Sequence, residues 1–233
     1  MLDQDALNNA AKVMGSSKGS KYLTAEDVLY IDGKQTATGW AIYRPVETFS
    51  RDDVSKEITA LRLIAKGELV EASSDYSGLK ITSQLQEILR NDIALPNQSV
   101  ENTDFTTTFY PMPSPQGSSA KLLGNIEGIR FSSTNQVVVI DKGTSDSVKQ
   151  GSVFDLKEDA HPVYKDGDEF KKEFGVLDKK ITLPQSKVGE LLVIRPYEYF
   201  SLALITTSTK PINKEVSVVS PLTQESTTNE TTQ

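Results

Sequence analysis

The chain has 233 residues, 37% of them apolar, with 25 Lys+Arg against 32 Asp+Glu, one His and no Cys. That length and apolar content supports one or two modest cores and excludes a wholly disordered chain. Zero cysteines exclude disulfides, zinc ribbons, iron–sulfur clusters and thiol nucleophiles, a single His excludes metal sites built on two imidazoles, and a net charge of −7 gives no reason to bind nucleic acid.

The opening Met1-Leu2-Asp3-Gln4-Asp5 is acidic and lacks both a basic n-region and an apolar h-region, so it is not a secretory signal, and an exporting segment is expected upstream of Met1. Residues 3–14 carry Leu7, Ala10, Ala11 and Met14 at three- and four-residue spacings, which predicts a short amphipathic helix or a connector over 1–20, ended by Gly15. From Tyr22 onward short apolar runs rich in Val, Ile, Thr and Tyr alternate with Gly, Asp, Asn and Pro. This predicts strands at 28–31, 40–44, 58–72 with a break around 65–67, 79–83 and 93–95, forming a first β module over 21–96. Residues 97–120, with Pro111, Pro113 and Pro115 among many Ser and Thr, resist helix and sheet alike and predict an exposed interdomain linker. Strands resume at 124–131, 136–141, 151–157, 187–195, 199–206 and 216–219, a second module over 121–221. The remainder, 222–233, has one large apolar residue, Leu222, and predicts a disordered tail. The apolar stretches 188–194 and 200–205 fall far short of the roughly 20 residues that cross a bilayer as a helix, so the chain is expected not to span a membrane.

The two halves repeat one set of landmarks. Tyr30-Ile31-Asp32-Gly33, Gly39-Trp40, Gly67-Glu68-Leu69 and Asn91-Asp92 are answered by Val139-Ile140-Asp141-Lys142-Gly143, Gly151-Ser152, Gly189-Glu190-Leu191 and Asn213-Lys214. Gly67 to Asn91 and Gly189 to Asn213 are both 24 residues, while the interval before them is ten residues longer in the second half. The excess falls in 160–183, rich in Lys, Asp and Gly, and predicts an elongated hairpin loop. The fold class expected is all-β: two similar small β-barrel or β-sandwich-like modules from an internal duplication, with a short N-terminal helix.

Candidate chemistry is sparse. Gly15-Ser16-Ser17-Lys18-Gly19 spells a nucleophile-elbow string, but a helix is predicted before it and β structure after it, the reverse of the strand–turn–helix that strains such a serine. Ser118-Ser119-Ala120-Lys121 spells S-x-x-K inside the predicted linker, with no K-T-G partner. His161 with Asp166, Asp168 and Glu169 supplies too few oxygens for a calcium loop and reads as a solvated hairpin tip. No phosphate-binding glycine motif is present. No catalytic residue, cofactor or metal ligand is therefore assigned. Trp40, Tyr43, Arg44, Tyr197 and Tyr199 are the candidates for a binding surface, against the commoner fate of strand aromatics as core, which Trp40 after Gly39 fits.

Ile42-Tyr43-Arg44-Pro45, Asn91-Asp92-Ile93-Ala94-Leu95-Pro96, Phe109-Tyr110-Pro111, Asn135-Gln136-Val137-Val138-Val139-Ile140-Asp141-Lys142-Gly143, Gly151-Ser152-Val153-Phe154 and Val188-Gly189-Glu190-Leu191, with the landmarks above, resemble the C-terminal region of Gram-negative LysM peptidoglycan-binding domain proteins. The resemblance runs from about residue 10 to 221. Where that family has Gly before Asp in the closing strand, this chain has Asn91 and Asn213. The LysM motif itself is absent from these residues. The resemblance implies a periplasmic or cell-envelope location and a non-enzymatic accessory module, a scaffold or spacer near the wall. Peptidoglycan would be reached through a LysM module absent from this chain. A protein-interaction adaptor of the envelope, contacting a partner through exposed strand edges, and a regulatory domain of a cell-wall hydrolase are the alternatives.

Overall fold

The computed structural model describes residues 1–16, 28–97, 110–158, 162–166, 169–171 and 179–222. The chain divides into two compact units, the first holding the described residues to 97 with 126–128, the second 110–125 and those from 129 onward.

In the first unit, β1 (Leu2–Asp3) leads into α1 (Gln4–Asn9), capped by the Asp3 carboxylate accepting from the Ala6 N–H at 2.7 Å. β2 (Ala11–Ser16), β3 (Val28–Asp32), β4 (Gly39–Arg51), β5 (Lys56–Ala72), β6 (Tyr76–Gln84) and β7 (Ile93–Pro96) follow. Their order β2-β3-β6-β5-β4-β7 returns to β2, a closed antiparallel six-stranded barrel with β1 appended to β5. β4, β5 and β6 are hairpin neighbours and β7 returns beside β4, a Greek key. Alternation sends Leu29, Ile31, Trp40, Ile42, Ile64, Leu79, Ile81 and Ala94 inward, joined by Val13 and Ile88. Each fully buried Ile among them contributes about 1.5–3 kcal/mol of transfer free energy.

In the second unit, β8 (Met112–Pro113) precedes β9 (Ser119–Asn125), β10 (Val137–Ile140) and β11 (Ser152–Glu158). β12 (Pro162–Asp166), β13 (Glu169–Lys171) and β14 (Lys179–Thr182) come next, then β15 (Ser186–Pro196), β16 (Ser201–Ser208) and β17 (Ser217–Val219). The ring is β9-β10-β16-β15-β11-β17, closing on β9, with β8 added parallel to β11. Strand for strand this is the connectivity of the first barrel. The predicted long hairpin loop is a small sheet, β13-β12-β14, in its described part.

The duplication extends to single hydrogen bonds. Asp32 accepts from the Lys12 N–H at 2.5 Å and Asp141 from the Lys121 N–H at 2.7 Å, each across 20 residues. Buried Ser77 donates to the Gly33 carbonyl at 2.9 Å, and buried Ser201 to that of Lys142 at 2.6 Å. Gly15 (φ 142°) and Gly124 (φ 153°) each follow a bulged residue, Met14 and Leu123, that the neighbouring strand skips.

Several expectations require correction. The helix predicted over 3–14 ends at Asn9, because α1 buries nothing and Val13 has a place in the barrel, where β2 closes the gap between β3 and β7. Residues 11–16 therefore belong to the first module and are not a connector. The strand expected to break around 65–67 is continuous over Lys56–Ala72, and the irregularity is a register shift between Lys66 and Gly67 against β6. The linker expected over 97–120 carries β8 and the start of β9 at its C-terminal end; Pro113 is tolerated because β8 lies at an edge, paired on one side with β11. The strand expected over 124–131 stops at Asn125, before a turn with Gly128 at φ 74°. The predicted tail beyond Leu222 and the linker between 98 and 109 lie outside the described residues.

The landmark alignment also slips. Trp40 pairs with Gly67 and Ile42 with Ala65, while Phe154 pairs with Leu191 and Leu156 with Gly189. Gly39 therefore corresponds to Val153, Gly67 to Leu191 and, through β7 and β17, Asn91 to Glu215. A two-residue slip keeps each side chain on the same face of its strand, so the repeated pattern survives the error.

Candidate functional site

β2, β3, β6 and β5 lie side by side in the first barrel, and one row across them reads Gly15, Tyr30, Gly78, Glu71. Leu29 and Ile31 point inward, so Tyr30 between them points outward. Gly78 lacks the side chain that would fill the row. A Cβ there would stand 2.7 Å from Glu71 Cγ and 2.9 Å from Glu71 Oε1, so the carboxylate occupies this space and reaches Tyr30, whose hydroxyl donates to it. That hydrogen bond, followed by desolvation, raises the Tyr30 phenol above its ordinary value. Tyr76, two pairs further along, meets Tyr30 edge to face with ring centroids 5.2 Å apart and planes at 89°.

Met14, Gly15, Ser16, Tyr30 and Tyr76 line a cavity of about 310 Å³ on this outer face. The bulge at β2 turns Met14 to solvent, where half its surface is exposed. The Ser16 hydroxyl is buried and makes no hydrogen bond. The Arg90 guanidinium lies over Gly15, with Nε 3.6 Å from where a Cβ would stand. The second barrel has no such row. Val139, Leu202 and Arg195 stand where the first has Tyr30, Gly78 and Glu71, and buried Phe200 replaces Tyr76.

The sequence-derived surface residues divide between the two barrels. Trp40 is core of the first barrel, 2% exposed, with its indole N–H donating to the Ala37 carbonyl at 2.8 Å. Tyr43 is half-buried, and burial raises its phenol. Arg44 has a structural partner: Nε and Nη2 hold the two oxygens of buried Asp92 at 2.9 and 2.8 Å, and Nη2 also donates to the Glu87 carbonyl. The Asp92 carboxylate accepts further from the Leu89 N–H at 2.8 Å, fixing the turn in which Asn91 takes φ 68°. Tyr197 and Tyr199 belong to the second barrel, at the β15–β16 hairpin. Burial raises the Tyr197 phenol, and Arg195 stands over its ring at 5.3 Å.

Ser17, His161 and Asp168 lie outside the described residues, and Asp166 and Glu169 stand opposite each other at the end of the β12–β13 hairpin. Ser118 sits in the turn before β9; its hydroxyl is buried and receives no hydrogen bond from Lys121, whose side chain is exposed. Among the described residues no group of three or more His, Cys, Asp or Glu is placed to hold a metal ion, and no helix is long and apolar enough to cross a membrane. Tyr30 figured in the sequence only as a repeat landmark, and Met14, Glu71 and Tyr76 did not stand out. Recognising them would have required the register that brings Gly78 between Tyr30 and Glu71. No family model and no curated protein matches the chain.

Proposed function

We propose that the chain is a non-enzymatic accessory module of a cell-envelope protein, two barrels in tandem serving as scaffold or spacer near the cell wall, with peptidoglycan bound by a LysM module outside these residues. The observation that carries this reading is the duplication of one closed barrel, joined to the family resemblance of the sequence. Closure pairs the backbone of every ring strand and gives each copy its own core, which suits a part that must hold its shape while other modules make the contacts. Fractionation of cells producing the protein from its own gene should recover it from the envelope, and the purified chain should release no soluble fragments from isolated peptidoglycan. Recovery from the cytoplasm would end the envelope assignment. Fragment release abolished by one alanine substitution would end the non-enzymatic one.

The adaptor reading keeps one supporting observation, the open groove on the first barrel. Strand edges serve it less well, since ring closure removes them from the ring strands and leaves only the short appended β1 and β8 and the small β13-β12-β14 sheet among the described residues.

A further inference from the structure

We infer that the outer groove of the first barrel is a binding site for a short zwitterionic peptide, its ammonium at Glu71, its carboxylate at Arg90, and its backbone and side chains over Tyr30, Tyr76 and Met14.

The two charges sit at opposite ends of one row. Arg90 lies over Gly15 on β2, and the Glu71 carboxylate lies over Gly78 on β6, with Tyr30 on β3 between them. Two strand spacings put these charges roughly 10 Å apart. An extended peptide advances about 3.3–3.6 Å per residue, so three residues carry their terminal charges over roughly that distance. The cavity of about 310 Å³ is at the small end of ligand sites, which run from about 300 to 1,000 Å³, and suits a ligand of this size with small side chains.

The chemistry along the row agrees with this length. Glu71 accepts the Tyr30 phenol and keeps further lone pairs for a ligand ammonium. Asp32, opposite Tyr76 on β3, and Asp75, beside Tyr76, add negative charge at the ring end. The Tyr30 and Tyr76 rings and the Met14 thioether offer apolar surface in between. The Ser16 hydroxyl has a donor and acceptors with no partner. Both glycines are needed. At Gly15 the positive φ belongs to the bulge that exposes Met14, and at Gly78 a side chain would displace Glu71.

The second barrel serves as an internal control. Arg195 stands in place of Glu71 and Lys214 in place of Arg90, so both ends are cationic, and Val139 and Leu202 replace Tyr30 and Gly78. The polarised row is a property of one copy, acquired on an outward face that the barrel core does not constrain.

The assignment rests on the groove, independently of the envelope role. Its test is a titration of the full chain with tri-alanine, followed by amide NMR at Gly15, Tyr30 and Gly78, beside N-acetylated and C-amidated tri-alanine. Saturable shifts are expected with the free peptide. Each blocked terminus should weaken binding about 2- to 5-fold, as expected for an exposed ion pair of roughly 0.5–1 kcal/mol. Glu71→Gln should weaken the free peptide equally and make N-acetylation inconsequential; Arg90→Gln should do the same for C-amidation. Both side chains are exposed, so a cooperative melt at or near the parent's will show the variants folded. No saturable shift, or blocked peptides binding as well as the free one, would overturn the assignment, as would shifts confined to the second barrel.

Discussion

Asp92 offers the sharpest test of what holds the first barrel together. Its carboxylate is 3% exposed and accepts three hydrogen bonds, two from Arg44 and one from the Leu89 N–H. Asp92→Val strands a guanidinium whose side chain is 29% exposed and orphans a backbone donor. Breaking one partner of a fully buried pair costs about 3–5 kcal/mol, and partial access of water to Arg44 places this case at about 3 kcal/mol. With a urea slope of about 1.5 kcal/mol/M for a barrel of this size, the midpoint should fall by about 2 M. Trp40 is the only tryptophan and is buried in this barrel, so its fluorescence follows this unit alone. The second barrel suggests the rescue, because buried Val216 stands where the first has Asp92, and Glu158 stands where it has Arg44. The double variant Arg44→Leu/Asp92→Val should therefore recover part of the loss, to within about 1–2 kcal/mol of the parent, since no charge is left unpaired and only the Leu89 N–H and the Glu87 carbonyl lose a partner. A midpoint shift below about 0.5 M in the single variant, or additive losses in the double, would refute the account.

Other outcomes follow from the same geometry. Gly189→Ala puts a Cβ 2.4 Å from the Thr207 carbonyl oxygen and should cost the second barrel about 2–4 kcal/mol, whereas Gly67→Ala, at 3.0 Å from the Lys80 oxygen, should cost the first clearly less; circular dichroism melts should move for Gly189→Ala while the Trp40 transition stays in place. Asp32→Ala and Asp141→Ala each lose one charge-assisted acceptor for a backbone N–H, and each should destabilise its own barrel by about 1 kcal/mol in urea titrations. The Tyr30 phenol, raised above 10.0 chiefly by its hydrogen bond to Glu71, should titrate late in the tyrosinate absorbance curve and earlier in Glu71→Gln. A raised folded-state value means that this contribution to stability is complete below pH 10.0 and disappears as pH climbs through the raised value, so alkaline unfolding of the first barrel should begin earlier in Glu71→Gln.

The β class, the duplication and the ten-residue insertion were legible because each is carried by period-2 alternation and by residues the turn geometry demands. The Asp32 and Asp141 landmarks align without error because each carboxylate ties down a backbone N–H in its own module. The glycine landmarks misled. Gly67 and Gly189 both open toward a neighbouring strand's carbonyl, but at positions two residues apart in the barrel, and the sequence shows only that a glycine is needed nearby. β2 was missed because its Leu7-to-Met14 spacing imitates a helix; the decisive contacts, Val13 with Ile31 and Ala11 with Ala94, come from residues far along the chain. Tertiary pairing overrode local periodicity there. Arg44 stood among the surface candidates for a related reason: its type and neighbours suggest contact, while its Asp92 partner is set by a turn distant in sequence; Trp40, also a candidate, has the core place that its position after Gly39 fits.

A duplicated barrel separates what the fold needs from what a copy does. Inward positions stay apolar in both copies, as Ile31 with Ile140, Ile42 with Leu156 and Ile88 with Ile212, because losing any one leaves a cavity costing several kcal/mol. Positions that tie strand ends also stay, as Ser77 with Ser201. Outward positions carry no such penalty and are free to diverge. They do so most in the row where Tyr30, Gly78 and Glu71 face Val139, Leu202 and Arg195: an aromatic, an open backbone and a carboxylate against two apolar side chains and a cation. Packing demands of the two rows are alike, so stability alone gives no reason for the first to expose Tyr76 and Met14, with Tyr30 half-buried, beside a buried, unpaired Ser16 hydroxyl. Exposed aromatic and thioether surface costs free energy in the isolated barrel, and a ligand that covers it offsets that cost. If exchange of Tyr30, Gly78 and Glu71 for their second-barrel counterparts leaves the first barrel folded and no less stable in urea while abolishing tri-alanine binding, the row is there for the ligand. If the exchange unfolds the barrel, the divergence is structural and the groove a by-product of it.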